Sequence, residues 1–170
     1  FILTQMQERE VDFDEAVAEA QAQGFAEADA SLDVDGHDAA HKAGILASLA
    51  HGFWVNPKRV YTEGIRRITP LDLEFAETLG YTIKLLGIVK GNGGPPVQVS
   101  VYPALIPSGH VMASVGGVFN AILVRGDVVG DTLYYGQGAG QDATASAVLS
   151  DLADAALDLK HGTPDRRHAF

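Results

Sequence analysis

The sequence predicts an α/β (α+β) fold, with a mixed, largely antiparallel sheet covered by helices on one face. Three observations point there. Helical periodicity dominates up to Gly52, and alternating β-branched and apolar runs dominate from Val60 to Tyr135. The strand-rich middle is joined by short connections containing Gly and Pro, the pattern of helices laid over a sheet.

Residues 1–9 read as the tail of a helix. Asp12 or Asp14 caps a second helix that ends at Gly24, in the position a C-terminal glycine takes. A polar loop follows, and a third helix runs from about Gly36–Asp38 to Ala50, stopped by Gly52. Val60–Ile68 reads as a strand, Pro70–Leu79 as a helix capped by Thr69, and Tyr81–Val89 as a second strand. The run Gly91-Asn92-Gly93-Gly94-Pro95-Pro96 is a turn-rich loop leading to a strand over Val97–Leu105. Val118–Val124 and Thr132–Tyr135 are further strands, joined by a tight Gly126–Gly130 connection, and a last helix covers Ala139–Leu159. Residues 1–159 are expected to form one domain, with 160–170 as a tail or linker.

Composition narrows the function. A hydrophobic fraction of 46% over 170 residues suits one domain with a core. The sequence has no cysteine, so thiol chemistry and disulfides are excluded. A net charge of -10 argues against nucleic acid, which is bound by Lys and Arg neutralising phosphates. No apolar run is long enough for a membrane span, and the start lacks the basic region of a signal peptide. The protein is expected to be cytoplasmic. It begins in the apolar run Phe1-Ile2-Leu3, as if cut within a helix, and so reads as a piece of a longer chain.

Charge is concentrated in "GFAEADASLDVDGHDAAHK", residues 24–42, where Glu27, Asp29, Asp33, Asp35 and Asp38 precede the single Lys42. On a helix, Asp38, Lys42, Ile45 and Leu49 fall in one narrow arc, opposite Ala39, Ala40, Ala43, Ala47 and Ala50. An ordinary surface pair at this spacing adds little. An Asp and a Lys sharing a partly buried apolar stripe would instead neutralise one another or line a cleft, and desolvation would favour the neutral amine. Lys42 is thus a candidate general acid/base. Asp29 and Asp35 read as loop-fixing or solvated residues.

Two metal readings fail on single positions. Ser31-x-Asp33-x-Asp35-Gly36 resembles half a calcium loop, but its bidentate position is Lys42. His37-Asp38-Ala39-Ala40-His41 resembles a zinc-hydrolase motif, but a third histidine would fall at Ala47. No metal is expected.

The pattern Ala20-x-x-x-Gly24-Phe25-Ala26-x-x-Asp29-Ala30-x-x-Asp33-Val34-x-Gly36-x-Asp38-x-x-x-Lys42 resembles the signature of homoserine dehydrogenases, departing at Ala30, where that family usually has proline. "FILTQM" at the start, Val101–Ile122 and Gly136–Val148 are similar to the same family. The resemblance implies an NAD(P)-dependent oxidoreductase that interconverts L-homoserine and L-aspartate 4-semialdehyde in threonine and methionine biosynthesis. It implies Lys42 as proton donor, Asp38 as its partner carboxylate, and Glu27 and Asp33 as substrate-binding residues. It also implies a preceding nucleotide-binding domain outside these 170 residues, so the chain alone is expected to be inactive, and a homodimer formed through the sheet. The turn Gly136-Gln137-Gly138-Ala139-Gly140 would then pack back on that domain, with Gly138, Gly140 and Thr144 touching the cofactor. Read from residues alone, the same turn is equally a tight helix N-terminus. His110 and Asn120 read as structural. The rival reading is a dimerisation module without chemistry, and a remoter one is a zinc hydrolase using His37 and His41.

Overall fold

The computed structural model describes residues 1–91, 96–138 and 140–162. In chain order the elements are α1 (Ile2–Arg9), α2 (Phe13–Ala22), α3 (Ser31–Val34), α4 (His37–His51), β1 (Tyr61–Thr62), α5 (Pro70–Thr78), β2 (Tyr81–Lys90), β3 (Gln98–Pro107), β4 (Phe119–Gly126), β5 (Gly130–Gln137) and α6 (Gln141–His161). Short 3₁₀ turns occupy Pro57–Arg59 and Val111–Ser114. Residues 92–95 of the expected Gly-rich loop, Ala139 of the expected last helix and residues 163–170 of the expected tail lie outside the described residues.

The chain divides into two compact units, each assembled from separated segments. The first comprises Phe1–Ala28, Ile68–Lys84 and Leu105–Val148. Here α1 packs on α2 and α5, and the three helices bury Met6 of α1, Ala16 and Ala20 of α2, and Leu73 and Ala76 of α5. Alanines let helices approach closely, and a single large side chain fills the space between them. Helix α5 begins with the expected cap: Thr69 Oγ1 accepts from the Asp72 N–H, and Asp72 Oδ2 accepts from the Thr69 N–H at 2.8 Å. Strands β4 and β5 form an antiparallel hairpin registered from Phe119↔Gln137 to Gly126↔Gly130. Phe119 stacks on Tyr135, and Arg125 grips Asp131 with two bonds of 2.6 and 2.8 Å.

The second unit comprises Asp29–Arg67, Leu85–Ala104 and Leu149–Phe170. Its core is the alanine face of α4: Ala40 and Ala43 close on Val101 of β3, with Ala39, Val60, Leu85 and Val99 around them. A Cβ at Gly87 of β2 would stand 3.1 Å from that of Ala43, so helix and strand meet almost without side chains between them. The far end of α4 is pinned by Ser48, fully buried, whose Oγ donates to the Gly44 carbonyl at 2.8 Å and accepts from the Val55 N–H at 2.9 Å.

The mixed α/β character stands, with two differences of arrangement. The strands form two sheets rather than one: a three-stranded sheet ordered β1-β3-β2, with β1 parallel to β3, and the β4-β5 hairpin. The strand expected over Val60–Ile68 shrinks to Tyr61–Thr62, paired with Ser100 and Val101. Two residues further along β3 stands Pro103, which has no N–H to extend a ladder. The chain past Thr62 turns instead to α3, the short helix lying inside what reads as a polar loop: Glu63 N–H still donates to the Val101 carbonyl, then Ile65 N–H donates to the Val34 carbonyl at 2.8 Å.

That switch depends on Gly64, where a Cβ would lie 2.1 Å from the Val34 carbonyl oxygen and 2.5 Å from the Asp35 Cα. Both obstacles are backbone, so neither can swing aside. Gly64→Ala is expected to cost about 1–3 kcal/mol by overpacking, seen as a fall of roughly 3–10 °C in melting temperature. An unchanged melting temperature would contradict this packing.

Candidate functional site

Helix α4 starts at Gly36, whose positive φ of 80° turns the chain out of α3. The position is buried, and a Cβ there would meet Thr62 Cγ2 at 3.2 Å and Val101 Cγ1 at 3.3 Å. Glycine is required on both counts. From this fixed start the helix buries Ala40, Ala43, Gly44, Ala47 and Ser48 and turns the opposite side to solvent.

Asp38 and Lys42 lie on that outer side. Lys42 Nζ sits 2.6 Å from Asp38 Oδ2, with the lysine side chain 66% exposed. Ile45 and Leu49 follow them along the helix, 52% and 57% exposed. The expected geometry of the pair is therefore present, but the expected burial is not: within the second unit the small-residue face is the buried one. The reason is closeness of approach, since alanines fit flat against Gly87 and Val101 where Ile and Leu would hold helix and strand apart. Asp38 also occupies the first turn of α4, where a carboxylate is favoured by the helix dipole. The arrangement provides an ammonium proton donor, held by a carboxylate, on an open surface.

Asp33 lies within α3, half-buried and in the same unit as Asp38 and Lys42. Asp29 and Asp35 fix this stretch, as loop-fixing residues would. Asp29 Oδ1 accepts from the Ser31 N–H at 3.0 Å and from its hydroxyl at 2.5 Å, which lowers the Asp29 pKa. Asp35 accepts a two-pronged grip from Arg66, Nε to Oδ1 at 2.5 Å and Nη2 to Oδ2 at 3.1 Å. Arg66 is a participant that sequence reasoning missed. It stands 31 positions from Asp35, and no spacing rule links a loop residue to one so distant. An open cavity of about 470 Å³ lies beside this pair, lined by Tyr61, Glu63, Arg66 and Arg67 among others; neither Asp38 nor Lys42 lines it.

Glu27, Gly138, Gly140 and Thr144 belong to the first unit. Glu27 is exposed, on a turn held from behind by Gln21, whose Nε2 donates to the Glu27 and Ala28 carbonyls, each at 3.0 Å. Gly140, at φ 107°, precedes α6, and its carbonyl accepts from the Thr144 N–H and hydroxyl. Gly138 donates its N–H to the Val118 carbonyl, and Asn120 packs so closely that a Cβ on Gly138 would fall 1.7 Å from Asn120 Nδ2. Asn120 thus sets the backbone of the turn from the neighbouring strand. His110 is structural, its Nδ1 accepting from the Met112 N–H. His37 and His41 lie one turn apart on α4, and among the described residues no group of three or more His, Asp or Glu side chains is placed to hold a metal ion.

The family model described as Homoserine dehydrogenase matches residues 1–153. The homoserine dehydrogenase of Pseudomonas aeruginosa is 50% identical over 154 residues, covering 91% of this chain and 35% of that protein. That of Neisseria gonorrhoeae is 45% identical, covering 98% and 38%. Among solved structures, a homoserine dehydrogenase from Thiobacillus denitrificans superposes with a TM-score of 0.88 at 48% identity, covering all of this chain and 40% of that one. A hyperthermophilic archaeal homoserine dehydrogenase in complex with NADPH superposes at 0.69 and 31% identity, covering 93% and 44%. The chain thus spans well under half the length of the relatives it matches.

The Arg66 guanidinium holds the Asp35 carboxyl below the usual carboxylate range. A carboxyl whose pKa is depressed by folding stabilises the fold above its unfolded pKa, and that contribution is lost as pH falls through the folded value. Wild type is expected to exceed Asp35→Asn modestly in stability at neutral pH, with the difference closing as pH falls below the ordinary aspartate value of 3.8. Urea unfolding across this range checks it, and a difference that grew on acidification would reverse the sign.

Proposed function

Because the chain belongs to the homoserine dehydrogenase family, we propose that residues 1–159 form the substrate-binding and oligomerisation part of an NAD(P)-dependent enzyme interconverting L-homoserine and L-aspartate 4-semialdehyde. The activity serves the aspartate pathway to threonine, methionine and isoleucine. The observation that carries the reading is the outward-facing Asp38–Lys42 pair, 2.6 Å apart, on a helix whose start is fixed by Gly36.

In this reading the Lys42 ammonium gives its proton to the oxygen of the aldehyde as the carbonyl carbon is reduced. Charge develops on that oxygen during the step, and a positioned ammonium both stabilises it and discharges it. In the reverse direction the neutral amine takes the hydroxyl proton from homoserine. Asp38, 2.6 Å away, keeps the amine pointed along the helix. Glu27 and Asp33 hold the substrate ammonium, for which carboxylates are the natural acceptors.

NAD(P), when bound, supplies or accepts the hydride. Gly140 and Thr144 stand at the start of α6, a helix N-terminus of the kind that suits a cofactor phosphate, and Gly138 just before them has its side-chain space taken by Asn120, which leaves only its backbone to present. We assign Gly138, Gly140 and Thr144 to that contact. A second copy of the chain is assigned to the β1-β3-β2 sheet, where Tyr61 is 62% exposed and meets Tyr102 edge-on at 6.5 Å. No described helix is long and apolar enough to cross a membrane, and an enzyme drawing on the NAD(P) pool belongs in the cytoplasm.

Lys42→Ala in the complete enzyme is expected to lower kcat by about 10²–10⁴-fold, the usual worth of a general acid/base. Its melting temperature should stay unchanged, because the side chain is mostly exposed. Turnover retained at the wild-type level would remove Lys42 from the chemistry.

A further inference from the structure

The acidic stretch poses a problem that its proposed role makes acute. Asp29, Asp33 and Asp35 crowd seven residues with like charges, and they repel one another in a segment with a single turn of helix. A carboxylate that is to meet a substrate ammonium must nevertheless stand still.

One side chain grips both ends of that turn. Arg66 reaches Asp35 with Nε and Nη2, and the same Nη2 donates to Ser31 Oγ at 3.3 Å. Ser31 in turn donates from both its N–H and its hydroxyl to Asp29. The guanidinium therefore ties Ser31, two residues before Asp33, to Asp35, two residues after it. The backbone beneath is held independently, by the Ile65 N–H on the Val34 carbonyl and by the close passage of Gly64. Gly36, directly after Asp35, is the N-cap of α4, which carries Asp38 and Lys42.

We infer that Arg66 is a positioning residue for substrate recognition: through Asp35 and Ser31 it fixes the turn that presents Asp33 to the substrate ammonium. The inference rests on the assignment of Asp33 to substrate binding. A half-exposed ion pair contributes little to overall stability, so the effect of Arg66 belongs in the Michaelis constant rather than in melting. The planar fork matters as much as the charge, because a lysine cannot span two carboxylate oxygens and a serine hydroxyl together.

The test is steady-state kinetics of the complete enzyme with L-homoserine and NAD(P). Arg66→Ala is expected to raise the KM for homoserine about tenfold, with kcat and the cofactor KM within about twofold. Arg66→Lys should recover part of the loss, and the exchange of Asp35→Arg with Arg66→Asp should return KM to within about threefold of wild type. If Arg66→Ala does not fold, Ser31→Ala, which removes the hydroxyl's bonds to Asp29 and Arg66 and keeps the backbone bond to Asp29, should raise KM about threefold. An unchanged KM in whichever of these variants folds, while Asp33→Asn raises it, overturns the inference and leaves the substrate assignment standing. An unchanged KM in Asp33→Asn overturns the assignment itself, and the inference with it.

Discussion

Helix α4 can hold Asp38 and Lys42 outward only because its other side lies flat on the sheet. The contact between Ala40, Ala43 and Val101, with Gly87 opposite Ala43, leaves no room for a larger residue. Close packing of this kind fixes rotation as well as distance, since turning the helix by one position would drive Ile45 or Leu46 into a gap sized for a methyl group. The direction of the lysine is thus decided by residues that never touch it. Gly36 completes the constraint by letting the first turn of the helix rest on Thr62 and Val101.

Much of this order is legible in the amino-acid sequence where the determinants are local. The capping box of α5, the Gly52 stop of α4 and the tight β4-β5 connection each depend on a few consecutive residues. The Asp38–Lys42 pair is legible for the same reason, because four-residue spacing on a helix brings side chains together whatever surrounds them. What the sequence does not reveal depends on partners far along the chain. Which face of α4 is buried is settled by Val101 and Gly87, and the early end of β1 is explained by Pro103. Hydrophobicity alone favours burying Ile45 and Leu49, whereas the sheet accepts only the flatter alanine face.

Electrostatics follows the same division. Asp72 and Asp29 find their donors within three residues, and both carboxyls are held below the ordinary range by those bonds. Asp35 finds its donor in Arg66, across a gap that only the folded chain closes. A different economy governs Lys84 of β2, half-buried, whose Nζ donates to the Val115 carbonyl at 2.7 Å. Burial lowers its pKa and the nearby charge of Glu8 opposes the shift. That lysine anchors a loop in the first unit, while Lys42 is open to solvent and paired with Asp38 on its own helix.

The parallel register of Tyr61 with Ser100 and Thr62 with Val101 bears on how the chain acquires its form during synthesis. A ribosome delivers α4 long before it delivers β3, and the intervening segment includes α5 and β2. Until Val101 emerges, the alanine face of α4 lacks the one fully buried residue its core closes on, and helix propensity alone holds a segment of this length only marginally. Closing so wide a loop is an entropic cost met late, and topologies that depend on distant pairings fold slowly. The helix bearing Asp38 and Lys42 is therefore among the first parts of the second unit to be made and among the last to be secured.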